Sequence, residues 1–334
     1  MRAAVISNGT FRVDDVADPE PGDGELVLRV AATGICGSDL STAPFLPDGR
    51  IMGHEFAGEV VATGPGLTDW LGAPVASMPV IGCRACRACL VGDVARCPAA
   101  RTLGLGVLAG SLAEFVLVGA AESVRLDRLP GAREVTGNDA GLGDAALTEP
   151  LAVGLHAVTR ASIAPGDRVL VTGAGPVGLA ALAWLSRSSA GEIVCSDPVP
   201  ERLVAATDLG ATSTTTPDAV SASEPFDVVI ECVGKPGIVA TALECVAPGG
   251  RIVVAGVCLT PDEFMPVAAV VKEVSMHFVS YYTKDEFVTA ATSVMNGSID
   301  PGLFVSRTAG LDDLTEIFAT LSAPNKERKV LIRP

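Results

Sequence analysis

The segment Asp167–Ser188, DRVLVTGAGPVGLAALAWLSRS, decides how the rest of the chain is read. Its apolar run Val169–Thr172 has the composition of a strand buried on both faces of a parallel sheet. Gly173, Ala174, Gly175, Pro176, Val177 and Gly178 follow as G-A-G-P-V-G. Between a strand and a helix, the first glycine permits a tight turn, the second lets a pyrophosphate approach the backbone, and the third lets helix pack on strand. The N–H groups at the helix start, with their partial positive charge, then offer an anion site. The stretch Val169–Ser186 carries no charge and could pass for a membrane span. Its glycines and Pro176 interrupt the first half, so strand, turn and helix explain it better. The expected class is α/β, with a doubly wound parallel sheet that binds a dinucleotide.

The residues downstream fit that expectation. EIVCSDPVPERL predicts a second strand ending at Asp197, close to the ~20 residues past the glycines at which an acidic side chain meets the adenosine ribose. Such a carboxylate accepts from both ribose hydroxyls and repels a 2′-phosphate, which favours NAD over NADP; Arg202 is the nearby group able to host that phosphate. FDVVIECVG and GGRIVVAGV predict further strand ends at Val233–Gly234 and Ala255–Val257. Ligands of open α/β sheets gather at such carboxyl ends. Strand and helix alternate from about 151 to 285, while residues 1 to 150 read as short strands separated by Gly, Pro and Asp turns.

The whole chain sets bounds. Its 334 residues allow two domains, and 49% apolar content with 36 glycines and 23 prolines suits a globular α/β protein. A formal charge of −15 leaves nothing to neutralise phosphates, which excludes nucleic acid as a partner. The N-terminal residues lack the apolar core of a secretory signal, so a cytoplasmic location and no membrane are expected. In that compartment clustered cysteines bind metal rather than form disulfides.

Of nine cysteines, Cys83, Cys86 and Cys89 are spaced C-x2-C-x2-C, and Cys97 follows after seven residues. Four thiolates close a tetrahedral zinc site with no position for water or substrate, so this lobe, residues 82–98, is expected to be structural. Cys195, Cys232, Cys245 and Cys258 lie in apolar runs and are expected in the core. Elsewhere GICGSDLS brings Cys36, Ser38 and Asp39, IMGHEFAGEV brings His54 and Glu55, and AALTEPLAVGLHA brings Glu149 and His156. Cysteine, histidine and carboxylate together are the donor set of a catalytic zinc that keeps an exchangeable position.

In that order, C-G-S-D, G-H-E, the cysteine lobe, E-P-L-x-V-G-x-H and the glycine turn resemble the zinc-dependent medium-chain dehydrogenases, and among them the sorbitol, butanediol and threonine dehydrogenase-like branch. The tail NGSIDPGLF…KVLIRP resembles them too. The resemblance implies a GroES-like β-barrel catalytic domain over 1–150, a Rossmann NAD-binding domain over 151–285, and a return to the catalytic domain over 286–334. It implies two zinc ions per chain, one structural and one catalytic. For the catalytic ion it implies Cys36 and His54 as ligands and Glu55 and Glu149 as an exchangeable carboxylate pair. Ser38 would pass on the substrate proton, and Asp39 would orient a ligand. Arg202 would pack by the adenine, Gly256 and Val257 along the nicotinamide, and Val279–Tyr281, with Ser280, near the carboxamide. His156 and His277 would be structural. The implied reaction is reversible oxidation of a secondary alcohol, diol or polyol by NAD, in a homodimer or homotetramer.

Two departures bear on the substrate. Ser41 stands where many relatives carry a histidine of the proton relay, and the Cys36–His54 segment is shorter than usual. Phe45, Leu46, Phe56 and Leu108 are candidates for the pocket wall, with core packing an equally good reading of each. The alternative is a zinc-independent quinone or enoyl reductase on the same fold, against which Cys36, His54 and Glu149 all speak.

Overall fold

The computed structural model describes residues 1–135, 140–220 and 224–334. It forms two compact units, Met1–Glu149 joined by Tyr282–Pro334, and Pro150–Tyr281. The return to the first unit thus falls at Tyr281–Tyr282, ahead of position 285.

The Pro150–Tyr281 unit is built on six strands, all parallel, in the order Ser213–Thr215, Glu192–Ser196, Arg168–Thr172, Phe226–Glu231, Val246–Val254, Ser275–Phe278. The third strand in chain order lies at one edge and the sixth at the other, the doubly wound arrangement. The run Val169–Val171 is apolar without alternation because helices cover both faces of the sheet; all three side chains are fully buried. Helix Pro176–Leu185 starts with Pro176 in its first turn and is buried nearly all round, from Gly178 to Ala183 and at Leu185. A helix without a polar face therefore accounts for the uncharged stretch, and no described helix is long and apolar enough to cross a membrane. Gly173 has φ +90°, and a Cβ on Gly178 would stand 1.8 Å from the Gly173 carbonyl oxygen. Only glycine satisfies both.

Three expectations are corrected here. The fourth strand of this sheet stops at Glu231, not at Val233, because the Glu231 side chain takes the next two backbone N–H groups. Cys195 and Cys245 are buried, but Cys232 and Cys258 are only half-buried. Both follow strand ends rather than sit within them, and the Cys258 thiol turns to the Thr260 carbonyl at 3.3 Å.

In the other unit the long strand Glu25–Gly34 pairs along one edge with Glu55–Thr63. Its other edge is shared: Phe115–Gly119 takes the first half and Lys329–Arg333 the second. Leu26, Leu28, Val30, Phe56, Val60, Val75, Val116 and Val118 close a core between these strands. Phe56 is therefore a core residue and not a pocket wall. Its neighbour Glu55 points to the opposite face, as strand alternation requires.

Candidate catalytic metal centre

Strand Glu25–Gly34 runs into Ile35 and Cys36, and Cys36 caps the short helix Gly37–Thr42. Asp39 makes that cap: its Oδ2 accepts from the Cys36 backbone N–H at 2.9 Å. Its Oδ1 lies 3.2 Å from His54 Nδ1. One buried carboxylate thus fixes the backbone of one donor and stands at ion-pair distance from the ring of the other. Binding at Nδ1 leaves His54 Nε2 to face the site, 3.4 Å from Ser38 Oγ. Burial works against a charged His54, but Asp39 more than offsets it and holds the imidazole pKa well above its ordinary value. Ser41 donates to the Gly37 carbonyl at 2.7 Å and is committed to its own helix.

Donor atoms of Cys36, His54 and Glu55 lie within 4.8 Å of one another. The combination of one thiolate, one imidazole and one carboxylate, the group of three found among the described residues, fits a zinc ion with an exchangeable position. Gly34 makes room for it: paired with Glu55 across the strands, it would carry a Cβ only 2.1 Å from Glu55 Oε2. Glu149 sits in the first turn of helix Thr148–Ala161, buried, but outside this group of three. Burial raises its pKa most; His54 opposes that and Glu55 adds to it, leaving it at about 7. His156 lies buried further along the same helix.

The sequence reading missed Lys329. Its ammonium donates to Glu55 Oε1 at 2.7 Å, to Oε2 at 2.5 Å and to the Ile35 carbonyl at 3.0 Å, with both side chains 1% exposed. Burial disfavours the ammonium, yet Glu55, Cys36 and Glu149 keep its pKa above that of an ordinary lysine. The available signal was a lysine at the head of the apolar strand K-V-L-I, a position that buries.

The second group is Cys83, Cys86, Cys89 and Cys97, whose sulfurs also lie within 4.8 Å of one another. The Cys86–Cys89 separation of 3.6 Å is close to the ~3.8 Å edge of a tetrahedron with zinc–sulfur bonds of about 2.3 Å. Backbone N–H groups of Ala85 and Cys86 lower the Cys83 thiol to about 6, preparing a thiolate.

At the nucleotide turn, Asp197 is 4% exposed. Its Oδ2 accepts from Ala174 N–H and its Oδ1 from Val199 N–H, each at 2.8 Å. It therefore clamps the glycine turn to the end of the second strand, with lone pairs left for a ribose. A Cβ on Gly175 would meet nothing within 4 Å, so the backbone there faces open space, as a phosphate cradle requires. Val233 abuts Gly173, and Gly234 abuts Val257. Arg202 lies on helix Pro200–Asp208, and Ser280 is exposed just ahead of Tyr281. Phe45 is 80% exposed, while Leu46 and Leu108 pack at core margins.

Residues 22–128 match the alcohol dehydrogenase GroES-like domain, and residues 176–296 match the zinc-binding dehydrogenase domain. The chain is 31% identical to sorbitol dehydrogenase of Bacillus subtilis over 73% of its own length and 71% of that enzyme. It is 36% identical to L-galactonate-5-dehydrogenase of Escherichia coli, a match covering 55% of this chain and about half, 52%, of that relative. A chain from Sinorhizobium meliloti solved bound to NADP superposes with a TM-score of 0.86 at 30% identity, covering 100% of this chain and 99% of that one. The ordered donor motifs, the parallel sheet with its glycine turn and these matches agree: the chain belongs to the zinc-dependent medium-chain alcohol dehydrogenase family.

Proposed function

We infer that this protein reversibly oxidises a secondary alcohol, diol or polyol to a ketone by hydride transfer to NAD. The observation that carries the reading is the Cys36–His54–Glu55 group, whose donor atoms lie within 4.8 Å of one another, with Asp39 beside Cys36 and His54. That donor set argues against the zinc-independent quinone or enoyl reductase.

Zinc held by Cys36 and His54, with Glu55 and Glu149 as the carboxylate pair, would supply Lewis acidity that lowers the pKa of an alcohol oxygen. The chain's own groups do the rest. Asp39 lies beside His54 Nδ1 and orients the ring. Ser38 Oγ, beside His54, is placed to take the alcohol proton and pass it outward. Ser41 is turned to its helix, so the relay continues through water or ribose hydroxyls. Gly173, Gly175, Pro176, Val177 and Gly178 hold the pyrophosphate, Asp197 the adenosine ribose with Arg202 by the adenine, and Val233, Gly256, Val257 and Ser280 the nicotinamide end. A second zinc in the four-cysteine lobe is structural.

All nine cysteines are unbridged, as suits a reducing, cytoplasmic setting. A homo-oligomer is supported by the free edge of strand Ser275–Phe278 and the adjoining helix Pro266–Lys272. Phe278, Val270 and Val271 are exposed there, and the helix buries no residue. A sheet edge can pair with its own copy about a two-fold axis.

The test is NADH formation by the zinc-loaded protein with secondary alcohols, 2,3-butanediols, sorbitol, xylitol and threonine, with NADP in parallel. Turnover of at least one with NAD is expected; a protein that binds NAD and zinc yet reduces no cofactor with any of them would count against the reading. Asp197→Ser tests the cofactor choice. Removing a carboxylate that repels a 2′-phosphate should shift the NAD/NADP ratio of kcat/KM toward NADP by on the order of 10²-fold. Equal use of both by the unaltered protein would defeat the argument.

A further inference from the structure

We propose that Glu231 is a positioning residue for the hydride acceptor, locking together the two strand-end loops on which the nicotinamide half of the dinucleotide rests. The proposal depends on the reading above of Val233, Gly256 and Val257 as cofactor contacts.

Glu231 ends strand Phe226–Glu231 and is 1% exposed. Its Oε1 accepts two backbone N–H groups, from Val233 at 2.6 Å and Gly234 at 2.8 Å. Its own carbonyl accepts two more, from Ala255 at 2.8 Å and Gly256 at 3.0 Å. The second carboxylate oxygen lies against the other loop, 2.5 Å from where a Cβ on Gly256 would stand. One residue therefore grips the loop after its own strand and the loop after the neighbouring one. The loops touch through glycines. A Cβ on Gly256 would lie 2.2 Å from the Gly234 nitrogen, and a Cβ on Gly234, at φ +67°, would lie 2.5 Å from the Val257 nitrogen. A third side is closed by the nucleotide turn, where a Cβ on Gly173 would reach Val233 Cγ2 at 3.0 Å.

A carboxylate is a costly group to bury without a cation, and Glu231 has no ion-pair partner among the described residues. An apolar strand end would serve the sheet equally well. What the carboxylate adds is an acceptor for N–H groups that a tight two-glycine crossing leaves without ladder partners. Loops held this way need no reordering when the cofactor arrives, so their contribution falls on the nicotinamide end and not on the adenosine end.

The experiment compares NAD with ADP-ribose, which lacks the nicotinamide, by calorimetric titration of the zinc-loaded protein, its Glu231→Ala variant and its Glu231→Gln variant. The unaltered protein should bind NAD more tightly than ADP-ribose. Glu231→Ala should weaken NAD by roughly 10- to 100-fold, the penalty for leaving buried donors unpaired, and ADP-ribose by less than about threefold. Glu231→Gln keeps an acceptor oxygen and should restore most of the NAD affinity. Equal weakening of both ligands by Glu231→Ala, or none, overturns the proposal while leaving the cofactor site standing. An unaltered protein that binds both ligands equally refutes the assignment of these loops to the nicotinamide and the proposal with it. If Glu231→Ala does not fold, Glu231→Asp decides. Its carboxylate is drawn back by about 1.5 Å, and it should show the same selective loss in smaller measure; an equal loss for both ligands overturns the proposal.

Discussion

Replacing His54 by alanine is expected to lower kcat on the order of 10³-fold or more while leaving the dissociation constant for NAD unchanged. The ring is one of the three donors grouped among the described residues, and it is the imidazole of that set, with Asp39 Oδ1 at 3.2 Å from its Nδ1. The glycine turn and Asp197 belong to the other compact unit. Metal analysis should show one zinc per chain instead of two, the remaining ion being held by Cys83, Cys86, Cys89 and Cys97. Two zinc ions and full turnover in the variant would falsify the assignment of the catalytic centre.

The second large effect is expected at Lys329. With no ion at the Cys36–His54–Glu55 group, Lys329→Met leaves the Glu55 carboxylate buried with no counter-charge, at a cost of about 3–5 kcal/mol in stability. Chemical denaturation of protein holding only the four-cysteine zinc should report it as a lower midpoint with an unchanged slope. Removing the stranded charge as well, in Lys329→Met with Glu55→Met, should recover most of the loss, because two apolar groups of similar size need no partner. If the single variant is as stable as the unaltered chain, the pair has no structural role. The pH dependence has a definite sign. The folded-state pKa of Lys329 is raised. The pair's contribution is therefore complete below the unfolded lysine value of about 10.4 and is lost as pH rises through the higher folded value.

These two residues also mark how far the chain could be read without its structure. The glycine turn, the cysteine lobe and the G-H-E motif are local: each function needs residue types at short fixed spacing, so the spacing is visible in the chain. His54 was found for that reason. Lys329 is 274 positions from the carboxylate it serves, and nothing near it in K-V-L-I-R-P hints at a partner. Only the pairing of strand Lys329–Arg333 beside Gly34 brings the two together. Glu231 was hidden differently, as the last letter of D-V-V-I-E, where an acidic strand end reads as the approach of solvent. For Phe56 the chain leaves pocket wall and core packing equally open, and only the packing of strand Glu55–Thr63 decides for the core. Asp197 was identified for its ribose contact, whereas its grip on the Ala174 and Val199 amides depends on two turns meeting in space.

The metal-binding unit is assembled from chain on both sides of Pro150–Tyr281. During translation the residues up to Glu149 emerge first, and the parallel-sheet unit follows with everything it needs to fold. Cys36, His54 and Glu55 are by then outside the ribosome, but Glu55 waits for its lysine until residue 329 has been added. Over that interval the half-edge of strand Glu25–Gly34 that Lys329–Arg333 pairs with lacks its partner strand. The order of synthesis therefore leaves the Glu55–Lys329 pair among the last contacts of this unit to form. It also makes residues 329–333, far from the donors in the sequence, the segment whose arrival completes them.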